Sequence, residues 1–136
     1  MGRRLLLDTT ELIAFERDGT IRGIGDGDTL ALASISLGEL YRGIVSTPIE
    51  RTRKRRLDFF EYISSGDDIE VLLYTPQTAR VHGFLLDYTK RVGYPRGAHD
   101  LIIAAHARET GREIFSTDGK AKFGDLPGVS VAELYV

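Results

Sequence analysis

Residues 97–118 read GAHDLIIAAHARETGREIFSTD, and the rest of the fold follows from how this stretch is read. The apolar block Leu101-Ile102-Ile103-Ala104-Ala105 continues to Ala107 with only His106 interrupting, which predicts a helix buried on more than one side. Gly111 stops that helix, and Glu113 to Thr117 predicts a short strand that delivers Asp118 at its carboxyl end. Asp100 falls in the helix's first turn. A carboxylate opening a buried helix is costly unless something pairs with it. Asp100 therefore either caps the helix or holds a cation.

Outward from this unit, helix and strand patterns alternate along the whole chain. Leu5-Leu6-Leu7 reads as a buried central strand ended by Asp8, with Thr9 or Thr10 available to cap a helix over Glu11–Arg17. Leu30–Ile35 predicts a second strand. Ser36-Leu37-Gly38-Glu39 then has capping-box spacing at the start of a helix to about Val45, so Glu39 has a purely structural reading as well as a chemical one. Thr47-Pro48 opens a helix to Ile63, with Leu57, Phe60 and Ile63 as its inner stripe. Glu70–Tyr74 is a third strand. Thr75-Pro76 begins a helix to about Val92, with Val81, Phe84, Leu85, Tyr88 and Val92 as its core face and His82 expected in solvent. Val129–Val131 is a last strand. This pattern predicts one α/β domain over residues 1–136, a central, mostly parallel sheet flanked by helices in three layers.

Composition narrows the chemistry. With 136 residues, 42% hydrophobic and 28% charged, the chain is an ordinary globular length and mixture. The apolar residues before Asp8 are too few for a signal-peptide core or a membrane span, so a cytoplasmic protein is expected. There is no cysteine, which removes thiolate zinc sites and a Cys nucleophile. His82, His99 and His106 lack zinc-site spacing. Asp26 and Asp28 hint at a calcium loop, but further ligands and a closing Glu are missing, and Asp-Gly is ordinary turn chemistry. The run Arg51-Thr52-Arg53-Lys54-Arg55-Arg56 carries five positive charges; at helical pitch it reads first as a solvated face with a Glu50–Lys54 pair. A phosphate-contacting patch is the sharper alternative, and a net charge of −2 neither demands nor excludes nucleic acid.

In a parallel sheet, right-handed crossovers put every strand's carboxyl end on one edge, where ligands bind. Asp8 and Asp118 end strands, and Glu39 and Asp100 open helices on that edge, so four carboxylates converge. Like charges that close repel, and a divalent cation resolves the conflict. With oxygen ligands on offer, Mg²⁺ or Mn²⁺ fits better than zinc or copper. One or two such ions would activate water against a phosphodiester and neutralise the leaving oxygen.

These residues carry a resemblance that spans essentially the whole chain. Leu-Leu-Leu-Asp8-Thr9-Thr10, Ser36-x-x-Glu39-Leu40, His99-Asp100-Leu-Ile-Ile-Ala-Ala105 and Ser116-Thr117-Asp118 with Phe123 beyond make the sequence similar to PIN domains, and among them to the VapC-type toxins of toxin–antitoxin modules. The resemblance implies a PIN-like fold and a Mg²⁺- or Mn²⁺-dependent endoribonuclease with Asp8, Glu39, Asp100 and Asp118 as catalytic acids. Asp8, Asp100 and Asp118 would hold metal, Glu39 directly or through water. It also implies a homodimer and neutralisation by a small antitoxin laid across the active-site groove. Thr9, Thr10 and Ser116 are candidates to orient those acids, although caps and strand-end hydrogen bonds explain Thr9 and Ser116 equally well. Thr10 stands where such proteins often carry Ser or Asn. His99, Arg51, Arg53, Lys54 and Arg55 are candidate RNA contacts.

Another enzyme, a phospho-acceptor module and a scaffold compete with this reading. An aspartyl phosphatase would want a second carboxylate at position 10, which is Thr. A phospho-acceptor receiver would want an aspartate after the third strand, where Tyr74-Thr75-Pro76 stands. A PIN-like scaffold that binds RNA or protein without cutting is opposed by the intact set of acids.

Overall fold

The computed structural model describes residues 2–117 and 121–133, so the expected placement of Asp118 lies outside the described residues. Its strands are β1 (Arg4–Leu7), β2 (Thr29–Ala33), β3 (Ile69–Leu72), β4 (Glu113–Phe115) and β5 (Ser130–Val131). Its helices are α1 (Thr9–Asp18), α2 (Ser34–Ser46), α3 (Glu50–Ser64), α4 (Pro76–Val92) and α5 (Ala98–Thr110). The sheet order is β3-β2-β1-β4-β5, and every neighbouring pair is parallel. The chain therefore folds as the α/β, three-layer architecture expected from its alternating pattern.

Side-chain alternation along the strands divides the interior into two cores. On one face, Leu6, Ala31 and Ile114 pack with Leu85 of α4 and with Leu101, Ile103, Ala104 and Ala107 of α5. On the other, Leu5, Leu7, Leu32 and Phe115 pack with Leu12 of α1 and Ile63 of α3. Leu5, Leu6 and Leu7 are all fully buried. Each such side chain contributes ~1.5–3 kcal/mol relative to exposure. Helix α5 is buried on several sides, as its sequence predicts, and Gly111 at φ 68° closes it.

The local signals that hold and those that fail differ in kind. At α4 the predicted cap forms: Thr75 and Thr78 make a reciprocal capping box with Pro76 at the first position. At α3 the predicted cap does not, since the helix starts at Glu50 with Ile49 at the cap, and the Thr47 hydroxyl accepts from the Ile49 N–H outside the helix. Leu57 is exposed and Phe59 takes its inner place, its ring 5.2 Å from that of Phe15. Phe84 and Val92 are likewise exposed on α4, the side chains of Thr78 and Thr89 being buried instead. Strand β2 ends at Ala33 rather than Ile35, because Ser34 already turns into α2. The 26–28 turn is not a cation loop: Asp28 receives the guanidinium and backbone N–H of Arg3 and the N–H of Gly25. Those bonds, Arg3 foremost, hold its carboxyl well below the usual range.

His82 is half-buried rather than solvated, its Nδ1 2.8 Å from the Tyr74 hydroxyl. His106 is 1% exposed, and its Nε2 meets no hydrogen-bond partner among the described residues. Burial lowers its pKa, with Glu109 pulling the other way and His82 adding to the depression. The folded chain thus resists a proton that the unfolded chain takes up below about pH 6.5. Stability to urea is expected to fall as pH drops from about 7 towards 5, and His106→Leu to flatten that fall. An identical pH slope in the variant would show that the imidazole is protonated without penalty.

Candidate active site

Because Leu7 pairs with Phe115 in register, the next residues on the two strands, Asp8 and Ser116, meet at the carboxyl edge of the sheet. Ser116 Oγ donates to Asp8 Oδ2 at 2.8 Å. The Thr9 N–H donates to Oδ1 at 2.8 Å and the Thr10 hydroxyl to Oδ2 at 3.2 Å. Asp8 is 2% exposed, so these donors offset the loss of hydration that an ionised carboxylate suffers on burial. Asp8 is itself the N-cap of α1, where the sequence had pointed to Thr9 or Thr10.

Thr9 is thereby released for a longer-range contact. Its hydroxyl donates to Glu39 Oε1 at 3.0 Å and lies 2.7 Å from Ser36 Oγ. A hydroxyl has one proton to give. The Ser36 hydroxyl, fully buried, therefore supplies the other bond. This corrects the capping-box expectation: α2 begins at Ser34 with Ala33 at its cap and no side-chain cap bond. Ser36 and Glu39 lie one turn into the helix, on the face that meets α1.

Glu39 also meets α5. His99 Nδ1 lies 3.3 Å from Glu39 Oε1, which brings the first turn of α5 against α2. Asp100 is the third residue of α5 and half-buried. Gly97, at the N-cap, is where a methyl group would stand 3.1 Å from Asp100 Oδ2 and 3.7 Å from its Cγ. Glycine at 97 leaves the carboxylate room to lie against the helix start, a relation no sequence pattern announced.

Glu11 was missed as anything beyond a helix residue. It is 7% exposed, and its Oε1 accepts both the N–H and the hydroxyl of Thr117, at 2.8 and 2.7 Å. The segment entering position 118 is tied to the first turn of α1. The available signal was spacing: Glu11 follows Asp8 by three residues and so shares its helix face.

The basic run divides. Arg53 bonds Glu50 and the Thr47 carbonyl, Arg55 bonds Glu16, and Arg56 bonds the Gly43 carbonyl, so these side chains join α3 to α1 and α2. Glu50 pairs with Arg53 rather than Lys54, and Arg51 and Lys54 are exposed. Beside them an apolar groove lined by Ile13, Leu40 and Phe59, with Glu16, Glu39 and Arg56 at its margins, leads to the acidic edge.

The oxygen-only acids at this edge suit a hard cation such as Mg²⁺ or Mn²⁺. Among the described residues, no three His, Asp or Glu side chains cluster closely enough to hold a metal. Asp8, Glu39 and Asp100 share an edge without forming a cage by themselves.

A family model described as the PIN domain matches residues 5–128. The chain belongs to the PIN-domain family. A solved structure of DNA-bound VapBC from Salmonella typhimurium has a chain 24% identical to it, covering 96% of this chain and 97% of that one, with a TM-score of 0.77. VapBC-5 from Mycobacterium tuberculosis, described as a member of the VapBC family of toxin–antitoxin systems, is 26% identical over 98% of each chain, with a TM-score of 0.73. VapBC2 from Rickettsia felis, bound to a promoter DNA fragment, is 20% identical with a TM-score of 0.76, covering 97% of this chain and 99% of that one. No curated protein matches the sequence. Within this PIN domain the acidic edge is therefore built by β1, β4, α2 and α5 together.

Charge-assisted bonds of the Glu11 kind contribute ~1.5–3 kcal/mol each before losses are shared. Glu11→Ala is expected to destabilise the fold by roughly 2 kcal/mol in urea unfolding. Glu11→Gln, whose carbonyl still accepts both bonds, should lose less than half as much. Equal losses in the two variants would show that charge, not the tether to Thr117, is what Glu11 contributes.

Proposed function

We propose that this PIN domain is a Mg²⁺- or Mn²⁺-dependent endoribonuclease acting as the toxin of a toxin–antitoxin pair in the cytoplasm. The observation that carries the reading is the hydroxyl and N–H array of Thr9, Thr10, Ser36 and Ser116, which converges on Asp8 and Glu39. Capping α1 uses only the bond from the Thr9 N–H to Asp8 Oδ1; the further donors on Asp8 Oδ2 and on Glu39 go beyond what a cap requires.

Asp8, Asp100 and Asp118 would hold the ion, with Glu39 direct or through water; the ion, when bound, supplies water activation and neutralises charge on the scissile phosphate. The chain's own residues do the positioning. Thr10 and Ser116 fix the Asp8 carboxylate, Thr9 fixes Glu39, and Gly97 gives Asp100 its room. Glu11 steers the backbone that enters Asp118. The N-terminus of α5 turns its positive partial charge towards an incoming phosphate.

The apolar groove between α1, α2 and α3 is the surface we assign to an antitoxin segment, because it is walled by Ile13, Leu40 and Phe59 and opens beside Glu39. Ile13 is 49% exposed there. The toxin–antitoxin complexes among the similar structures support such a partner, and a homodimer belongs to the same reading. A non-cutting PIN scaffold is the alternative.

Purified protein is expected to cut RNA when Mg²⁺ or Mn²⁺ is added, to stop on chelation, and to lose cutting in Asp8→Asn and Asp100→Asn. Gly97→Ala should cost no more than about 1 kcal/mol of stability, since its φ of −61° suits alanine although alanine is the poorer N-cap, yet lower the cutting rate about tenfold by displacing Asp100. Metal-independent cutting, or full activity in both aspartate variants, would overturn the assignment. Binding of RNA without cutting under all these conditions would favour the scaffold.

A further inference from the structure

The loop between α4 and α5, which leads into the first turn of α5 and Asp100, meets Lys122 in a cluster that the acidic site does not use. The Arg96 guanidinium carbon lies 4.2 Å from the Tyr94 ring centroid, and Lys122 Nζ lies 5.1 Å from the same centroid. The Arg96 side chain is only 5% exposed; it donates to the carbonyls of Tyr94 and Lys122, and its Nε has no hydrogen-bond partner among the described residues. Among the described residues, Asp125 Oδ2 lies 4.0 Å from its Nη2. Tyr94 is 43% exposed and Lys122 is exposed. Lys122 is also the one non-glycine among the described residues with positive φ, at 48°.

Folding alone does not require this arrangement. A left-handed lysine is strained, and such strain persists where the surroundings hold it. Here the Arg96 bond to the Lys122 carbonyl helps hold the backbone, and the ammonium is left beside an exposed ring. The Lys122 ammonium is charged at neutral pH like any exposed lysine, and its hydrogen bond with the Tyr94 hydroxyl raises its pKa further. An aromatic face with a cation at its margin matches the repeating unit of a single-stranded nucleic acid, a base stack followed by a phosphate. On an edge lined by acids, a local cation is also what allows a polyanion to approach.

We propose that Tyr94, Arg96 and Lys122 form a subsite for single-stranded RNA beside the acidic edge. A base stacks on Tyr94, Lys122 contacts the neighbouring phosphate, and Arg96 is a positioning residue that clamps the Tyr94 ring to the Lys122 backbone. This rests on the reading of the edge as an RNA-cutting site and adds where the strand lies.

The test separates binding from cutting. Binding of a fluorescein-labelled unstructured RNA is followed by anisotropy in chelator across a salt series, and cutting of the same RNA is followed with Mn²⁺. Tyr94→Leu is expected to weaken binding about tenfold, within the range of a lost base stack, and Tyr94→Phe to restore it. Lys122→Met, which carries the same backbone strain, should reduce the magnitude of the salt slope by about 0.7. Arg80→Met, exposed near the start of α4 at the far end of that helix from the cluster, serves as the distant control and should match wild type. If Tyr94→Leu and Lys122→Met bind with wild-type affinity and slope while wild type cuts RNA, the subsite is wrong and the nuclease reading stands. If wild type binds through these residues but never cuts, the subsite stands and the nuclease reading falls. If wild type binds no RNA, the subsite is overturned, and the cutting assay decides separately whether the nuclease reading survives.

Discussion

Placing a carboxylate almost out of solvent at a sheet edge is the constraint from which this structure is best understood. Asp8 follows the fully buried Leu5–Leu7 at the end of the central strand and is 2% exposed. An ion in that position is tolerated only if donors replace its hydration. The fold recruits them from either side of a strand pair: Thr9 and Thr10 follow in sequence, and Ser116 arrives on β4 because the Leu7–Phe115 register requires it. Helix α1 then begins where it does because Asp8 caps it. A change of one residue in the β1–β4 register would put Ser116 out of reach and leave the charge underpaired.

The same logic spreads outward through shared hydroxyls. Thr9, freed from capping, links α1 to α2 through Ser36 and Glu39, and Glu39 in turn meets His99 at the start of α5. Burial of Ser36 at 0% exposure makes this a network in which each proton has one destination. Such networks specify geometry more strongly than their net energy suggests, because an orphaned member is expensive.

How much of this was legible in the sequence depends on how far each signal had to reach. Leu5–Leu7, the α5 block and the Thr75-Pro76 cap were read correctly, because burial runs and caps are decided by neighbours a few residues apart. Of the two readings of Ser36-x-x-Glu39 the cap fails, since its partner, Thr9, lies on another helix, and the pattern alone does not reveal that the cap of α2 falls three residues earlier, at Ala33. Phe84 fits the periodic stripe of α4 yet lies outside, where Arg108 stacks over its ring at 4.5 Å. The basic run looked like a solvated face, but Arg53, Arg55 and Arg56 reach carbonyls and an acid on neighbouring elements. Asp8, Glu39 and Asp100 were singled out by their places at strand and helix ends; Glu11 and Gly97 were not, because their roles exist only against Thr117 and Asp100 in space.

The bond between Glu11 and Thr117 also bears on the order in which the molecule comes into being. Glu11 leaves the ribosome 106 residues before its partner Thr117, and Asp8 108 residues before Ser116, so neither acid has its full set of donors until the segment after β4 has been made. Contacts of such long sequence separation form slowly, after local structure is in place. A growing chain, or one cut short before β4, carries the acids of the first half without the arrangement that makes them a site. Assembly of the acidic edge is thus a timer built into the topology: it is complete only once β4 and the two residues after it are in place.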